Sequence, residues 1–587
     1  MKKTNPKNQV SVTIDGRTLN VPADFTVLEA AQEAGIEIPT LCYLKEINKI
    51  GACRICLVEI EKTRGLQSAC VYPVNDGMVV HTNNKLIRDT RKAVLQLILS
   101  NHPMECLTCD RNNSCELQSL AYQFGIREIP YQGANTVGKT DADSPSIERL
   151  TDKCVLCRRC VAVCQQVQQV GVLGLSNRGF DSCVGPAFNH SLDEVNCIMC
   201  GQCINACPVG ALREKTHIPQ TWEALNNPDI HVVAQVAPSI RAALGEEFGL
   251  DPGNSVSKQI PASLRRLGFD KVFDTTFTAD LTIMEEGHEF LNRLQTGGVL
   301  PLLTSCSPGW VKYCEHNYPE FLDNLSTAKS PQQMFGALSK TYYAEKAGID
   351  PEKIFSVSIM PCTAKKFERQ RPEHTDSGYY DVDAILTTRE LAKMIKEVGI
   401  DFLSLPEEPF DAPMGHGTGA GVIFGTTGGV MEAALRTIYE VVTGKTLKKL
   451  DFKDVRGFEG VKEAVVNIPD FGDVRVAVAH GISNAHTLLE KVKEGEQYHF
   501  IEIMGCLGGC VGGGGQPIVS GPQRMRLKED FRKLRAQALY EEDKNLPMRK
   551  SHENPDVKLV YEEYLEKPLG EKSHHLLHTM YEARKKY

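Results

Sequence analysis

The chain has 587 residues, of which 42% are hydrophobic and 24% charged, and its formal net charge is −8. This length exceeds what one hydrophobic core supports, so we expect several domains. The charge, without any run of lysines and arginines, indicates neither nucleic-acid binding nor membrane-surface binding, and no apolar run approaches the ~20 residues of a membrane helix. The first residues carry no apolar segment of the secretory type, so we expect a cytoplasmic protein without membrane insertion.

The 21 cysteines are the most informative feature of the composition. Most of them stand in short clusters. Thiols in the cytosol stay reduced, so such clusters indicate metal sites before disulfides. The composition therefore predicts a protein with several metal centres.

Residues 1–82 predict a small domain of strands and one helix. The segment VSVTIDGRTLNV is expected to form two strands around an Asp-Gly turn, and TVLEAAQEAGI is helical in pattern. The same region contains Cys42, Cys53, Cys56 and Cys70. Four thiolates from loops suit a [2Fe–2S] cluster, and zinc is the alternative because it also accepts four cysteines.

Residues 83–130 predict a small helical module with a second ligand set. The segment NHPMECLTCDRNNSCELQ contains His102, Cys106, Cys109 and Cys115. One imidazole and three thiolates complete four ligands, which we expect to bind a [4Fe–4S] cluster; a zinc site with the same donors is the alternative. The polar residues 131–147 are expected to form a linker.

Residues 148–215 contain a repeated cysteine motif. Both CVLCRRCVAVC and CIMCGQCINAC have the spacing of bacterial ferredoxins, in which the fourth cysteine of each run binds the cluster of the other run. We therefore expect two [4Fe–4S] clusters. One has the ligands Cys154, Cys157, Cys160 and Cys207, and the other has Cys197, Cys200, Cys203 and Cys164. Cys183, between the runs, is expected to bind no metal.

Residues 220–525 have the composition of an α/β domain, followed by a charged helical extension at residues 526–587. HVVAQV, FSVSIMP and VRVAVAHGI read as buried strands, and SIRAALGEEFG reads as a helix. Cys362 follows one of these strands, where sites of α/β domains are usually built. Cys506 and Cys510 lie among glycines that would let the backbone approach a bulky inorganic group, although a flexible loop with two incidental thiols is the alternative.

Three segments of this domain carry a family resemblance. TSCSPGW, MPCTAKKFE and EIMGCLGGCVGGGGQP, in this order and after the cysteine clusters, resemble the signature segments of the [FeFe]-hydrogenases. The resemblance implies a multidomain α+β and α/β protein, in which a β-grasp [2Fe–2S] ferredoxin-like domain, a helical His/Cys module and a two-[4Fe–4S] ferredoxin domain precede a two-lobed α/β domain with a helical C-terminal extension. The implied reaction is the reversible conversion of two protons and two electrons into H2.

The implied catalytic cofactor is an H-cluster, a [4Fe–4S] cube joined through one thiolate to a two-iron unit with CO, cyanide and a bridging dithiolate. By the resemblance, Cys362, Cys506 and Cys510 bind the cube, and Cys510 also bridges to the two-iron unit. Ser307 stands where the family has the fourth cube cysteine, and Cys306 precedes it at a proton-relay position. A shift of one residue would instead bring Cys306 to the cube, and a lone Cys306 read without the resemblance is a small buried residue.

The resemblance implies further roles around this cofactor. Lys365 corresponds to a lysine that hydrogen-bonds a cyanide. The positions that line the cofactor pocket are Pro238, Ser239, Gln332, Met360, Phe424 and Met504. The proton path corresponds to Cys306, Glu286, Ser326, Glu289 and Arg293. Without the resemblance, Glu286 and Glu289 would read as charges on a solvated helix face.

The implied partners are ferredoxin, flavin- and NAD(P)-binding subunits, and maturation proteins that supply the two-iron unit. A partner is expected because the chain has no GxGxxG segment after a strand and no P-loop. Two alternatives remain at this point: a sensory H-cluster protein with low turnover, and a non-catalytic iron–sulfur subunit of a respiratory-type complex.

Overall fold

The computed structural model describes residues 9–136, 138–447, 449–468 and 471–585. Within these ranges the chain forms a series of small cluster-bearing modules, followed by a larger domain with two sheets. This arrangement confirms the expected multidomain α+β and α/β architecture. Among the helices described, none combines the length and the apolar character needed to cross a membrane.

The N-terminal module is a five-stranded sheet with one helix, Val27–Glu33, and it has the expected β-grasp character. The hairpin predicted around the Asp-Gly turn forms, and both turn residues, Asp15 and Gly16, have the positive φ angles that such a turn requires. The helix begins at a capping box between Thr26 and Glu29. In spatial order the strands are Arg17–Pro22, Gln9–Ile14, Met78–His81, Leu57–Ile60 and Gln67–Ser68.

The His/Cys module has two helices, Lys85–Ser100 and Glu116–Gln123. The expected linker is less extended than its composition suggested, because Thr140–Asp141 pairs with the strand Ile147–Leu150. Ser144 lies buried between these strands, and its Oγ accepts hydrogen bonds from two backbone N–H groups at 3.2 Å. Ser144 of this expected linker thus satisfies the backbone of a turn in the ferredoxin domain.

The ferredoxin domain is built around its two cysteine runs. A short helix follows the first two cysteines of each run and contains the third, Arg159–Ala162 in the first run and Gln202–Ala206 in the second. The strands are Thr140–Asp141, Ile147–Leu150 and Leu212–Glu214, with a separate hairpin of Gly174–Ser176 and Cys183–Gly185.

The catalytic domain has two lobes, each with a four-stranded sheet. The first sheet is entirely parallel, in the order Lys271–Asp274, His231–Val236, Ile354–Met360 and Ala384–Thr387. The second has the order Leu302–Leu303, Phe500–Met504, Gly472–His480 and Val461–Ile468, and only its last pair is antiparallel. Parallel strands of this kind are buried on both faces, which explains their nearly continuous apolar sequences.

Helices surround the two sheets. They are Ile218–Leu225, Gln259–Leu267, Thr276–Thr296, Pro308–Asn317, Pro331–Leu338, Ala344–Ala347, Ala364–Glu368, Thr388–Glu397, Gly419–Ile423, Gly429–Thr443 and Ile482–Lys493. The C-terminal segment is helical as expected and packs on this domain, with helices Gly521–Arg526, Phe531–Asn545, Pro555–Val560 and Glu571–Leu577.

One predicted helix is wrong. The segment SIRAALGEEFG forms two short 3-10 turns, Pro238–Ile240 and Leu244–Phe248, with a break at Ala243. Arg241 within it is buried and forms ion pairs with Asp274 at 2.7 Å and Glu542 at 2.6 Å. These contacts with distant elements stabilise a path that the local helix propensity does not favour.

A buried ion pair joins three parts of the chain. Arg159 of the ferredoxin domain donates two hydrogen bonds of 2.8 Å to Glu116 of the His/Cys module. The same carboxylate accepts the backbone N–H of Gly521, after the catalytic sheets, at 2.9 Å. Arg159 is 1% exposed, so neither charge is compensated by water.

Removing one member of this pair should destabilise the assembly strongly. We expect Glu116→Leu to cost ~3–5 kcal/mol, because it leaves the Arg159 guanidinium buried and unpaired. Glu116→Leu combined with Arg159→Met should recover most of that loss. The measurement is the thermal unfolding midpoint of the cluster-loaded protein, with Asp89→Ala, which breaks the exposed Lys85–Asp89 pair, as control. Equal midpoints for Glu116→Leu and the control would contradict the prediction.

Candidate functional site

The four N-terminal cysteines converge in one loop region. The backbone N–H of Cys42 lies 3.4 Å from the Sγ of Cys53, and the N–H of Cys53 lies 3.5 Å from the Sγ of Cys42. Cys70 contacts both Cys42 and Cys56 through its thiol. Hydrogen bonds from neighbouring thiols lower the pKa of Cys42 and Cys56, as expected of sulfurs gathered to bind metal.

The His/Cys module places its four predicted donors around a small cavity. His102, Cys106, Cys109 and Cys115 all line it. The Nδ1 of His102 is buried and has no hydrogen-bond partner among the described residues, and burial lowers the pKa of the imidazole. Gly210 of the ferredoxin domain closes the cavity, where an added Cβ would lie 2.7 Å from the Cys109 Sγ. A neutral imidazole and three thiols facing a closed cavity fit a metal cluster.

The two cysteine runs of the ferredoxin domain exchange their fourth members. One cavity is lined by the set Cys154, Cys157, Cys160 and Cys207. Cys164 belongs to the other set, since Cys197, Cys200 and Cys203 are each subject to its charge. Burial raises the pKa of these thiols, to about 11 for Cys154 and Cys197, so bound metal is needed to hold them as buried thiolates.

The catalytic cavity lies between the two lobes. Carboxyl ends of parallel strands from both sheets point at it, and Cys362 and Cys506 stand just beyond two of these strands. Its volume is about 90 Å³. Every residue that the resemblance assigned to the pocket lines it, namely Pro238, Ser239, Gln332, Met360, Phe424 and Met504, together with Cys306, Ser307, Cys362, Lys365, Cys506 and Cys510.

Cys306 and Ser307 point to different neighbours. The Oγ of Ser307 accepts the backbone N–H of Gly505 at 3.1 Å, which places this hydroxyl beside the cube cysteines. Cys306 is half-buried, and the carboxylate that acts most strongly on its thiol is Glu286. Trp310 fixes the turn, because its Nε1 donates to the Thr304 carbonyl at 3.0 Å and its ring is fully buried.

Burial raises the pKa of Cys306 well above its usual range, and the Glu286 carboxylate adds to the effect. Because its pKa is raised, the Cys306 thiol holds its proton at neutral pH.

The predicted proton-path residues form a continuous polar series that leads away from the cavity. Burial, and then the charge of Glu289, raise the pKa of Glu286 to about 8. Ser326 lies between the two carboxyl groups and donates to Glu289 Oε2 at 3.1 Å. Arg293 donates to Glu289 Oε1 at 2.6 Å and is partly exposed. The pattern alone suggested that Glu286 and Glu289 lie on a solvated helix face. That prediction is wrong, since both glutamates are buried.

Lys365 is held by an acidic neighbour that sequence reasoning missed. Its Nζ lies 2.8 Å from Glu368 Oε2 and 2.8 Å from Ser330 Oγ, and 3.2 Å from the carbonyl of Cys306. Glu368 also accepts from Gln332 Nε2 at 3.0 Å. Glu368 could have been found from the sequence by its i,i+3 spacing from Lys365 on one helix.

The glycine-rich loop meets the ferredoxin domain. A Cβ on Gly514 would lie 2.2 Å from the carbonyl of Cys200, so only glycine permits this approach. Gln202, also missed from the sequence, donates from Nε2 to the Cys506 Sγ at 3.2 Å and to the Gly512 carbonyl at 2.8 Å. At these positions the glycines serve close contact with another protein backbone, in addition to the approach to a metal group expected from the sequence.

The donors around the catalytic cavity fit the cofactor that the resemblance implies. Cys506 is buried and lies near the half-buried Cys362 and Cys510, and the charge of each neighbouring thiolate raises the pKa of Cys506 further after burial. The Ser307 hydroxyl lies beside them, and the apolar cavity adjoins Cys510. Three thiolates beside a dry cavity can hold a cube and leave room for a second metal unit.

Comparisons with known proteins agree with this geometry. Residues 230–514 match the family described as iron only hydrogenase large subunit, C-terminal domain, and residues 529–584 match iron hydrogenase small subunit. The N-terminal half matches three iron–sulfur families: a 2Fe-2S iron-sulfur cluster binding domain at residues 7–85, an NADH-ubiquinone oxidoreductase-G iron-sulfur binding region at residues 91–130, and an NADH-quinone oxidoreductase subunit 3 ferredoxin-like domain at residues 144–213.

Similar whole proteins are also known. The chain is 53% identical to the NADP-reducing hydrogenase subunit HndD of Solidesulfovibrio fructosivorans, over 99% of this chain and 100% of that one. It is 43% identical to iron hydrogenase 1 of Clostridium pasteurianum, over 97% and 99% of the two chains. Among solved structures, an apo form of a variant of the [FeFe]-hydrogenase HydA1 from Chlamydomonas reinhardtii matches with a TM-score of 0.56 and 44% identity, over 63% of this chain and 100% of that one.

The different directions of Cys306 and Ser307 can be tested by metal content. We expect Cys306→Ala to retain the iron of the catalytic cube, because this thiol faces Glu286. Ser307→Cys should strengthen cube retention, because iron prefers a thiolate to a hydroxyl. The measurement is iron per chain, with electron paramagnetic resonance of the reduced cube, in protein reconstituted under identical conditions.

Cys314→Ala is a suitable control, because Cys314 is buried away from the cavity and contacts the Tyr318 carbonyl. If Cys306→Ala loses the cube's iron while Cys314→Ala keeps it, then Cys306 is the ligand and the register assigned to this turn is wrong.

Proposed function

The chain belongs to the [FeFe]-hydrogenases, and we propose that its interlobe cavity holds an H-cluster on Cys362, Cys506 and Cys510, with Ser307 beside the cube. The protein is an iron hydrogenase catalytic subunit. The observation that carries the proposal is that Cys362, Cys506 and Cys510 line one apolar cavity together with Cys306, and that the Glu286 carboxylate lies close enough to act on the Cys306 thiol.

The H-cluster, when bound, supplies the metal site at which H2 is split or formed. The protein's own residues determine access and charge around it. Met360, Phe424 and Met504 exclude water from the cavity. Lys365 presents an ammonium group to the cavity, where it can hydrogen-bond an anionic diatomic ligand, and Glu368 positions it.

Protons leave or arrive along the series that begins at Cys306. The Cys306 thiol exchanges a proton with Glu286, whose pKa of about 8 lets it be protonated or ionised near neutral pH. A protonated Glu286 can pass its proton toward Ser326, whose hydroxyl is hydrogen-bonded to Glu289. Arg293, at the partly exposed end, holds the Glu289 carboxylate in place.

Electrons travel through the ferredoxin domain. Gln202 links the Cys200 and Cys203 region to Cys506 of the catalytic cube. On the far side, Asn48 Nδ2 donates to the Cys42 carbonyl at 2.8 Å and to the Cys157 carbonyl at 3.0 Å. This contact supports transfer between the N-terminal cluster and the ferredoxin domain. The contact of Gly210 with Cys109 supports a second branch through the His/Cys module.

The external partners follow from this layout. The similarity to an NADP-reducing hydrogenase subunit supports a complex with flavin- and NAD(P)-binding subunits, and ferredoxin is the other candidate electron partner. Maturation proteins are needed for the two-iron unit. A cytoplasmic location is part of the proposal, because clustered cysteines with metal-ligand spacing are typical of compartments in which thiols stay reduced. Co-purification from the native host identifies the partner.

The two alternative functions are less well supported. A non-catalytic electron-transfer subunit would not need the cavity or the proton series, and residues 230–514 match the catalytic family. A sensory protein with low turnover would share the cavity, so the rate of H2 oxidation by matured protein separates it from the proposal.

The accessory clusters give a prediction of composition. We expect one [2Fe–2S] cluster and three [4Fe–4S] clusters besides the catalytic cube. Cys70→Ser should remove the [2Fe–2S] signal from the electron paramagnetic resonance spectrum and leave the [4Fe–4S] signals, because the Cys70 thiol contacts the thiols of Cys42 and Cys56 in the N-terminal set. Cys183→Ser is the matched control and should leave every signal. Zinc and no sulfide in the N-terminal site would contradict the assignment.

Glu286 gives a prediction about turnover. We expect Glu286→Gln to lower the rate of H2 oxidation by ~10²-fold or more, because the amide keeps the shape but cannot exchange the proton. Glu286→Asp should retain part of the activity, since the carboxyl group remains. The rate is measured with an artificial electron acceptor, and infrared bands of the two-iron unit verify that the cofactor is intact. An unchanged rate in Glu286→Gln with intact cofactor would exclude this proton route.

A further inference from the structure

A second chain of hydrogen bonds reaches Glu289 from the C-terminal segment. Thr327 Oγ1 lies 3.1 Å from Glu289 Oε2 and 2.7 Å from His578 Nδ1. On the other side of the ring, His578 Nε2 lies 3.0 Å from Glu285 Oε2. His578 is 4% exposed, so its imidazole is hydrogen-bonded to these side chains and not to water. One hydroxyl therefore separates a buried histidine from the carboxylate of the proposed proton series.

The protonation of this cluster follows from its donors. Glu285 accepts the backbone N–H of Leu569 at 2.9 Å and the hydroxyl groups of Tyr561 and Ser573. Burial alone would raise the pKa of Glu285, but His578 and the two hydroxyls hold it below its usual value. Glu285 is therefore ionised, and His578 Nε2 must carry a hydrogen that it donates to this carboxylate. The proton that can come and go is the one on Nδ1, which faces Thr327.

The hydroxyl of Thr327 has one hydrogen and two neighbours. When His578 is charged, its Nδ1–H donates to Thr327, and Thr327 donates to Glu289. When His578 is neutral, Nδ1 accepts the Thr327 hydrogen, and Glu289 loses that hydrogen bond. Glu289 keeps the backbone N–H of Thr327 at 3.0 Å and Arg293 in both cases. The state of the histidine is thus transmitted to Glu289 through one hydroxyl.

We propose that His578 is a proton-accepting side branch of the route through Glu289, with Thr327 as the connecting hydroxyl. This inference rests on the proton route of the proposed function. In the step, protonated Glu289 gives its proton to Thr327 Oγ1 while Thr327 gives its own hydrogen to His578 Nδ1. Glu289 becomes a carboxylate, Thr327 remains a hydroxyl, and His578 becomes an imidazolium paired with Glu285. Return of the proton reverses each bond change.

The groups that face His578 favour storage of a proton on its imidazole. Charged and titratable groups face His578 from each neighbouring element: Glu285 and Glu289 with Arg293 from the helix Thr276–Thr296, Tyr561 through Glu285, and His574, whose ring stacks on His578 at 4.9 Å. Glu285 stabilises the imidazolium, and Arg293 is engaged by Glu289. Because each H2 yields two protons and the main series passes one at a time, a side branch can hold one proton while the other leaves.

The experiment compares four variants of matured, full-length protein. His578→Gln removes the titrating nitrogen, and Thr327→Val removes the connecting hydroxyl, whereas Thr327→Ser restores that hydroxyl. His574→Gln is the matched control, since this histidine is exposed and its ring only stacks on His578. Rates of H2 oxidation are recorded from about pH 5 to about pH 8, the interval in which imidazole changes charge.

We expect His578→Gln and Thr327→Val to lower H2 oxidation by about tenfold at the alkaline end, where an imidazole is ordinarily neutral and can accept a proton, and to leave the acidic end unchanged. The pH profile should therefore change shape in these two variants and be restored in Thr327→Ser. A second readout is the infrared carboxyl band that Glu289→Gln abolishes, recorded without the two-iron unit. Its pH titration should shift in His578→Gln and Thr327→Val and stay in place in His574→Gln.

Two results would overturn the proposal. The first is a parallel loss of rate at every pH with an unmoved carboxyl titration, which would mean that His578 only holds the C-terminal segment in place. The second is a rate and a titration equal to those of the parent protein in both variants. Glu289→Gln distinguishes failure of the side branch from failure of the whole proton route. If Glu289→Gln lowers turnover and His578→Gln does not, only the branch is wrong. If Glu289→Gln leaves turnover unchanged, the proposed route is wrong and the branch with it.

Discussion

The contact between the glycine-rich loop and the ferredoxin domain is the interaction on which the rest of the structure depends. Gly514 lets the Cys200 backbone approach, and Gln202 bonds the Cys506 sulfur directly. Arg389 fastens the contact, because it pairs with Glu214 at 2.8 Å and donates to the Gly514 carbonyl at 2.8 Å. Electron tunnelling requires closely spaced centres, and this contact brings the last accessory cysteines beside the catalytic ones.

The cavity separates the two kinds of transfer. In the proposed function, the thiols that serve electron transfer lie on the side of the ferredoxin domain, whereas protons pass from Cys306 to Glu286 and on along the helix Thr276–Thr296. Burying carboxyl groups in this helix is unfavourable unless they are protonated or bonded, and both solutions occur. Glu286 has a raised pKa, and Glu289 is held by Ser326, Thr327 and Arg293. The desolvation that makes Glu286 costly to bury also raises its pKa to about 8, so this group can exchange a proton near neutral pH.

Sequence patterns failed where distant contacts decide the conformation. SIRAALGEEFG has helical propensity but forms 3-10 turns, because Arg241 is bound by Asp274 and Glu542 from other elements. Residues 131–147 were expected to be a linker, yet Thr140–Asp141 joins a sheet. Glu368, Gln202 and His578 carry no recognisable motif, and their importance follows only from what lies next to them. Each of these residues was identified by its contact with a partner that is remote in sequence or on an unexpected face of its helix.

The sequence by itself determined the chemistry that depends on local spacing. The cysteine runs, the N-terminal hairpin and the position of Cys362 after a strand are set within a few residues, because ligand spacing and turn geometry are local properties. The family resemblance then supplied the expected pocket and proton-path positions. Tertiary structure alone decided that the Glu286 carboxylate acts on Cys306 while Ser307 bonds the Gly505 backbone, and that His578 reaches Glu289 through Thr327. These relations depend on which side chains meet and lose water together, and that is fixed by packing between elements far apart in the chain.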